Sequence, residues 1–289
     1  MNAFEAFLQA TRPEVDACLQ RWLPPAERDE LAAALQHVVF SGGKRFRPAL
    51  VLLAAEHVGG PRADAVPAAA AVELIHAYSL VHDDLPCMDD ALLRRGRPCA
   101  HVVWGEATGV LAGDALQALA FEVLAHETPP ARPVAAMVAA LARAAGWSGL
   151  VGGQAEDLRG EGQPPELERV RRIHAGKTAA MISVSLRLGA LAGGADPARA
   201  EDLAASGLEL GLAFQIVDDL LDVRSTTAEL GKAAGADAAA AKLTWPAAVG
   251  VEAAERDARG LLDGALRRAG DGPGRARFAA LGEWLLPRG

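Results

Sequence analysis

Apolar residues recur at helical spacing along most of the chain, with Pro, Gly and charged turns between the repeats. This pattern predicts a series of helices rather than alternating strands and helices. The predicted helices cover residues 2–23, 27–40, 49–57, 103–126, 134–146, 166–191, 211–223 and 251–268. A further apolar, helical stretch begins at residue 71.

That stretch, 71–97, reads AVELIHAYSLVHDDLPCMDDALLRRGR and changes from apolar to highly charged. Such charge at the end of an apolar helix is costly to bury unless a counter-charge is present, and a hard divalent cation with a phosphate ligand would supply one. A solvated helix end is the alternative that this stretch alone leaves open. The charged residues concerned are Asp83, Asp84, Asp89, Asp90, Arg94 and Arg95.

Asp83 and Asp84 are stronger metal-ligand candidates than Asp89 on helical geometry. In an unbroken helix Asp89 would lie roughly 120° from Asp83, so the two would not share a face. Pro86 removes a helical hydrogen bond, and it can end or kink the helix and bring Asp89 round.

A second acidic cluster lies in the apolar segment GLAFQIVDDLLDV, 211–223. At about 100° per residue, Gln215, Asp219 and Asp222 share one helix face, and Asp218 and Asp222 are neighbours four residues apart. Like charges at this spacing destabilise a helix. Three carboxylates on an apolar helix therefore predict a bound cation.

Basic residues occur where they could meet an anion. The segment SGGKRFRP, 41–48, places three cations and two glycines at a predicted helix start, which suits a phosphate but lacks the Walker pattern. Lys177 enters the apolar half of 166–191, so it either snorkels or meets an anion. Lys232 and Lys242 follow the second acidic cluster; they could cover a diphosphate or be ordinary surface lysines.

Composition narrows the function class. The 289 residues include 29 Lys plus Arg and 37 Asp plus Glu, and the net charge of −8 argues against a nucleic-acid partner. Three cysteines without CxxC spacing indicate a reducing compartment. The first residues lack a signal-peptide pattern, and no stretch approaches roughly 18 uninterrupted apolar residues. We therefore expect a cytoplasmic protein without a membrane span, forming one domain over 1–289.

The motifs HDDLPCMDD with LRRGRP, FQIVDDLLD, GGKRFRP, HAGKT, and LGKAAGAD with KLTWP together resemble the short-chain trans-prenyl diphosphate synthases of bacteria. They occur in order over 41–246. The resemblance implies an all-α fold, a single-domain isoprenoid synthase helical bundle around a central cavity, normally a homodimer. It also implies that three Mg²⁺ ions assist ionisation of an allylic diphosphate, after which isopentenyl diphosphate attacks the allylic cation and a proton is lost.

The resemblance assigns roles to individual residues. It implies metal binding by Asp83, Asp84, Asp89, Asp218, Asp219 and Asp222, and catalytic roles for Asp83, Asp84, Lys177, Asp218 and Lys232. It assigns the allylic diphosphate to Arg94, Lys177, Lys232 and Lys242, with Thr178 and Gln215 beside the reacting carbons. It assigns isopentenyl diphosphate to Lys44, Arg47, His76 and Arg95. Gln154 and Asp157 match a supporting QxxD element, although spacing alone favours a solvated helix surface.

His76 suits this role because it projects within about 20° of Asp83 on an ideal helix. A packed core histidine is the alternative.

The resemblance also implies that a bulky residue about one turn before the first Asp pair limits the length of the product. Tyr78, followed by Ser79, resembles the pattern of bacterial farnesyl diphosphate synthases, which favours a fifteen-carbon product. The wording PCMDDALLRRGRP also occurs in geranylgeranyl diphosphate synthases, which usually carry a smaller residue at Tyr78. A tyrosine that only serves the core stays open.

Three other classes of protein are weighed against a synthase. A terpene cyclase would not explain GGKRFR or the second Asp-rich motif, and a silent partner subunit would normally have lost one Asp cluster. A purely structural helical protein would not need two acidic clusters on apolar helices. The chain departs from its relatives at Cys99, Ala100 and Val102, and its short tail with Arg288 leaves closure over the second substrate open.

Overall fold

Helices form nearly all of the computed structural model, which describes residues 1–224 and 242–286. In chain order they are α1 Ala3–Trp22, α2 Glu30–Val39, α3 Phe46–His57, α4 Val66–Asp83, α5 Ala100–Trp104, α6 Glu106–Glu127, α7 Val134–Ala145, α8 Leu150–Gly160, α9 Leu167–His174, α10 Ala180–Gly193, α11 Pro197–Arg224, α12 Trp245–Val249, α13 Val251–Ala269 and α14 Arg275–Leu285. A 3₁₀ turn spans Arg62–Ala65, and a π-helical turn spans Ala175–Ala179. A short antiparallel hairpin pairs β1 Leu93–Arg94 with β2 Arg97–Pro98.

The helix positions agree with the sequence pattern, and the differences have local causes. α3 begins at Phe46 rather than at residue 49, because Pro48 falls in the first turn, where its missing N–H costs nothing. Gly105 separates α5 from α6. The stretch predicted over 166–191 is interrupted by the π-helical turn, which carries Lys177 and Thr178.

The core lies between the most apolar helices. α4 packs against α3 and α6, while α10 packs against α3 and α11. α4 is buried over most of its length and is apolar on nearly every side, as expected for a helix at the centre of a bundle. The two Asp-rich motifs therefore lie on core helices, one at the C-terminal end of α4 and one near the end of α11.

Within the described parts of the chain, three helical segments reach the length and apolar composition of a membrane span: Arg62–Asp83, Glu106–Glu127 and Val134–Gly160. Their apolar windows are 78%, 39% and 33% buried inside the protein. The first is thus explained by the core, since a buried helix needs an apolar surface on all sides. The sequence pattern underestimated these segments, and the expected lack of a membrane span stays a prediction.

Candidate active site

The first acidic cluster forms where α4 ends. Asp83 is the last residue of the helix and Asp84 is its C-cap. The chain then turns at Pro86, and the Asp89 N–H donates to the Asp83 carbonyl over 2.9 Å. The expectation that Pro86 ends the helix and brings Asp89 back is confirmed.

Asp84 contacts different partners from Asp83. Its Oδ1 accepts a hydrogen bond from Arg94 Nε over 2.6 Å, and the carboxylate is buried. The Cys99 thiol also bonds to Asp84, and burial together with this carboxylate raises the pKa of Cys99 to about 12. The turn thus brings Asp89 beside Asp83, while Asp84 is bound by Arg94 of the hairpin. The ranking of Asp83 and Asp84 above Asp89 as metal ligands stays a prediction.

Asp83 lies at the centre of several charges. Burial raises its pKa to about 6; Lys177 opposes this shift, Asp89 adds to it, and Arg94 and Lys242 oppose it. Lys242 Nζ also lies 3.4 Å from Asp89 Oδ1. The structure therefore brings together five of the predicted metal and allylic diphosphate residues.

The π-helical turn fixes Lys177. Its Nζ donates to Asp157 Oδ2 over 2.6 Å, so the lysine meets an anion, and the expectation of a solvated Asp157 is wrong. Gly153 on α8 makes this approach possible, because a Cβ there would overlap the backbone of Gly176 and Lys177. π-helical turns are frequent at functional sites.

Thr178 and Gln215, which the resemblance assigns to the reacting carbons, lie together. Thr178 Oγ1 donates to Gln215 Oε1 over 2.7 Å, and Gln215 Nε2 donates to Asp219 Oδ1 over 3.1 Å. Asp219 Oδ2 accepts from the backbone N–H of Trp245 over 2.8 Å. The second aspartate of the α11 motif is thus buried and holds protein donors, much as Asp84 does on α4.

His174, the first residue of the HAGKT motif, supports this arrangement. Its Nε2 lies 3.5 Å from Asp219 Oδ2, and its ring stacks on Trp245 with centroids 5.9 Å apart. Burial lowers the pKa of His174 to about 4. A local sequence pattern does not predict the contact between His174 and Trp245, because the two residues are far apart in the sequence.

Asp218 and Asp222 have different surroundings on α11. Asp222 is buried, whereas Asp218 is exposed and lines a cavity. This cavity has a volume of about 850 Å³ and gathers all four residues predicted for isopentenyl diphosphate. Those residues are Lys44, Arg47, His76 and Arg95.

The glycine pair of 41–48 shapes the cavity entrance. Gly42 and Gly43 have φ of 105° and 107°, which favour glycine, and a Cβ on Gly43 would overlap the Arg95 guanidinium. Arg95 Nη1 donates to the Gly42 carbonyl over 2.5 Å. Arg47 Nη1 lies 3.5 Å from His76 Nε2. Burial, followed by Arg47 and Arg95, holds the pKa of His76 well below its usual value, so this imidazole is neutral at pH 7.

Arg45, the third cation of the loop, has a structural role. It is buried, with φ of 53°, and donates to Asp16 Oδ1 over 2.8 Å and to Glu73 Oε1 over 2.6 Å. A third hydrogen bond joins it to the Val39 carbonyl. Arg45 therefore ties the loop to α1, α2 and α4, and the sequence gives no sign that separates it from Lys44 and Arg47.

Tyr78 and Ser79 lie one turn before the first acidic cluster. Tyr78 is buried; its hydroxyl lies 3.4 Å from the Ala145 carbonyl and also bonds to Gln117. Burial raises the pKa of Tyr78. Ser79 Oγ donates to the carbonyl of His76 on its own helix over 2.9 Å.

Comparison with known proteins agrees with this geometry. The family model described as Polyprenyl synthetase matches residues 28–279. This chain belongs to the polyprenyl synthetase family. It is 45% identical over 269 residues to the farnesyl diphosphate synthase of Escherichia coli (strain K12), covering 91% of this chain and 90% of that protein.

Two further relatives in the family are similar over most of their length. A chloroplastic geranylgeranyl pyrophosphate synthase of Arabidopsis thaliana is 46% identical over 256 residues, covering 86% of this chain and 71% of that protein. The structure of a geranyltransferase from Helicobacter pylori, complexed with magnesium and isoprenyl diphosphate, superposes with a TM-score of 0.81 at 31% identity, covering 96% of this chain and 97% of that one. The resemblance to prenyl diphosphate synthases is confirmed at the level of the family, as is the all-α fold.

The donor set of this polyprenyl synthetase suits magnesium, since carboxylate oxygens are preferred ligands and burial disfavours an uncompensated charge on Asp83. Over 1–224 and 242–286, no three His, Cys, Asp or Glu side chains form a metal cage by themselves. This fits an ion held by one or two carboxylates plus substrate phosphates. Lys232 lies outside the described residues.

Proposed function

We propose that this protein condenses isopentenyl diphosphate with dimethylallyl or geranyl diphosphate and releases farnesyl diphosphate. The observation that carries the proposal is the pairing of two charged regions. One surrounds Asp83 and Asp89 with Lys177, Arg94 and Lys242. The other is the cavity of about 850 Å³, which is lined by the cations Lys44, Arg47 and Arg95 and by His76. A condensation of two diphosphate substrates needs two such regions, one for the allylic diphosphate and one for isopentenyl diphosphate.

The first region would bind the allylic diphosphate. Bound Mg²⁺, with three ions expected, would supply Lewis-acid stabilisation of the diphosphate leaving group. All six aspartates remain candidate ligands. Asp83 and Asp89 are expected to contribute because the turn after α4 brings them together. Asp218 is expected to contribute because it is exposed and lines the cavity.

Other side chains would orient the reaction. Lys177, held by Asp157, and Arg94, held by Asp84, would place positive charge beside the allylic diphosphate. Gln215 would keep its carbonyl oxygen towards Thr178, since its amide nitrogen donates to Asp219. These oxygens would stabilise the allylic cation.

The second region would bind isopentenyl diphosphate. Neutral His76 and the cations Lys44, Arg47 and Arg95 would hold its diphosphate through charge-assisted hydrogen bonds. The double bond of isopentenyl diphosphate would be the nucleophile that attacks the allylic cation, so no side-chain nucleophile is required. The proton lost from the condensed intermediate would pass to the departing diphosphate.

Tyr78 supports a fifteen-carbon product, because it places a buried aromatic ring on α4 about one turn before Asp83. The competing product has twenty carbons, which the 46% identity to a geranylgeranyl pyrophosphate synthase favours. We also propose a homodimer. Its support is a set of exposed apolar side chains on α5 and α6, namely Val102, Val103, Val110 and Leu111.

Condensation is tested with purified protein, Mg²⁺, isopentenyl diphosphate and either allylic starter, and the extracted product is quantified. We expect product formation that EDTA abolishes. Asp83→Asn and Asp218→Asn should each lower the rate by about 100-fold or more, since metal stabilisation contributes several kcal/mol. No condensation with any starter would favour the cyclase or silent-subunit reading.

A further inference from the structure

Three aromatic rings form a wall on one side of the cavity that holds Lys44. Phe46 lies between Phe214 and Trp284, with ring centroids 5.3 and 5.4 Å away and interplanar angles of 22° and 24°. All three residues line the cavity. A diphosphate site thus has a flat apolar surface directly beside its cations.

Lys44 is held against this wall. Its Nζ lies 5.3 Å from the centroid of the Trp284 ring, within the distance of about 6 Å for a cation–π interaction. Lysine has a long, flexible side chain, and ordering it costs conformational entropy. Contact with Trp284 restricts the ammonium group to the cavity before any ligand binds.

Trp284 is itself anchored from the other end of the chain. α14 is tied to α1 by a hydrogen bond of 2.9 Å from Asn2 Nδ2 to the Ala280 carbonyl. The Phe4 ring lies 5.5 Å from the Trp284 ring, and the Arg277 guanidinium lies 4.7 Å from the Phe7 ring. The tryptophan is therefore placed by contacts that do not involve the acidic motifs.

We propose that Trp284 is a positioning residue for the second substrate. It holds the Lys44 ammonium towards the diphosphate and, with Phe46 and Phe214, packs against the short branched hydrocarbon attached to it. The inference rests on the proposed function, because it assigns isopentenyl diphosphate to this cavity. A ligand with a charged head and a five-carbon apolar tail needs the combination of cations and aromatic surface found here.

The first test separates this role from core packing through Michaelis constants. Trp284→Leu should raise KM for isopentenyl diphosphate about tenfold and leave KM for geranyl diphosphate within about twofold, since the cation–π contact is worth about 1–2 kcal/mol. Trp284→Phe, which retains an aromatic face, should recover most of the loss. The control is Trp22→Leu, because Trp22 is also half-buried but contacts His126 and Glu127 instead.

The second test measures binding without turnover. Titration with isopentenyl diphosphate should change tryptophan fluorescence in the wild type and in Trp22→Phe, and this change should be lost in Trp284→Phe. A double-mutant cycle with Lys44→Met completes the test. If Trp284 acts on the diphosphate through Lys44, adding Trp284→Leu to Lys44→Met should weaken affinity for inorganic diphosphate by less than twofold.

Several outcomes would overturn the inference. In the first test, Trp284→Leu would raise the KM values for isopentenyl and geranyl diphosphate equally, or would lower the Tm and leave both KM values unchanged. In the second test, Trp284→Phe would show the same fluorescence change as the wild type, or the effects of Trp284→Leu and Lys44→Met on affinity for inorganic diphosphate would be fully additive. If Trp284→Leu fails to fold, the fluorescence comparison of wild type and Trp284→Phe still decides. Absence of condensation by the wild type would reject the proposed function, whereas the isopentenyl diphosphate titration tests Trp284 separately.

Discussion

Adjacent aspartates have different surroundings in each acidic motif. At the end of α4, Asp83 lies among unlike and like charges while Asp84 is held by Arg94. On α11, Asp218 faces the cavity while Asp219 accepts hydrogen bonds from Gln215 and Trp245. In both pairs the second carboxylate is buried with protein donors, which fixes the first one in place.

This difference predicts opposite effects on stability. Asp84→Asn should lower the free energy of unfolding by about 2 kcal/mol, because it weakens a charge-assisted bond to Arg94. Asp83→Asn should raise it in the absence of metal, since the raised pKa of Asp83 means that burial disfavours its ionised form. Urea unfolding at pH 7.5 with EDTA measures both variants. Equal losses of stability in the two variants would contradict the account.

At the scale of elements, close packing between α8 and the π-helical turn positions the active-site lysine. The backbones of Gly153 and Gly176 are in direct contact, and Asp157, one turn further along α8, reaches Lys177. The packing of α8 against the π-helical turn therefore determines where the Lys177 ammonium group lies, and this group would contact the substrate.

Gly153→Ala should disturb this contact. The added Cβ would overlap the backbone at Lys177, so we expect a loss of about 1–3 kcal/mol in stability and a lower kcat. Gly260→Ala is the matched control, because Gly260 lies in α13 with open space around a Cβ. This variant should unfold with a free energy about 0.5–1 kcal/mol higher than that of the wild type. Thermal unfolding and steady-state rates measure both. Similar behaviour of the two variants would reject the role given to this contact.

At the scale of the whole molecule, buried neutral imidazoles couple stability to pH. Burial lowers the pKa of His57, His76 and His174 below that of a free histidine. As pH falls below about 6.5, the unfolded chain takes up protons that the folded protein does not, so folding stability decreases. Asp83 acts in the opposite direction between about pH 6 and 4, because its folded pKa is raised.

We therefore expect the urea concentration at the unfolding midpoint to decrease as the pH is lowered from 7 to 5. Each imidazole that stays neutral contributes at most about 1.4 kcal/mol per pH unit. His57→Phe should reduce this slope, since His57 is buried against Ala269 and Phe278 away from the acidic motifs. A midpoint that is constant over this range would contradict the burial of these histidines.

Sequence patterns predicted the parts of the site that repeat locally. Helical spacing located the two acidic clusters, and the glycine-rich basic loop located Lys44 and Arg47. Residues whose role depends on distant segments were not predictable in this way. Trp284 contacts Phe4 from the opposite end of the chain, and Arg45 differs from its basic neighbours only through Asp16 and Glu73.

The π-helical turn was also missed, since periodicity over 166–191 is compatible with an ordinary helix. Its extra residue is recognisable only from the contacts that Lys177 and Thr178 make with other helices. Tertiary packing therefore decides these features, and local pattern does not.

The most direct measurement is the chain length of the product formed from isopentenyl and geranyl diphosphate with Mg²⁺, read after dephosphorylation. We expect farnesol from the wild type and from Tyr78→Phe, and a shift to geranylgeraniol in Tyr78→Ala, because removal of the buried ring would open space on α4 just before the first acidic cluster. Stability should be checked alongside, since truncating a buried aromatic residue costs about 3–5 kcal/mol. Geranylgeraniol from the wild type would contradict the role of Tyr78, and no condensed product would contradict the proposed reaction.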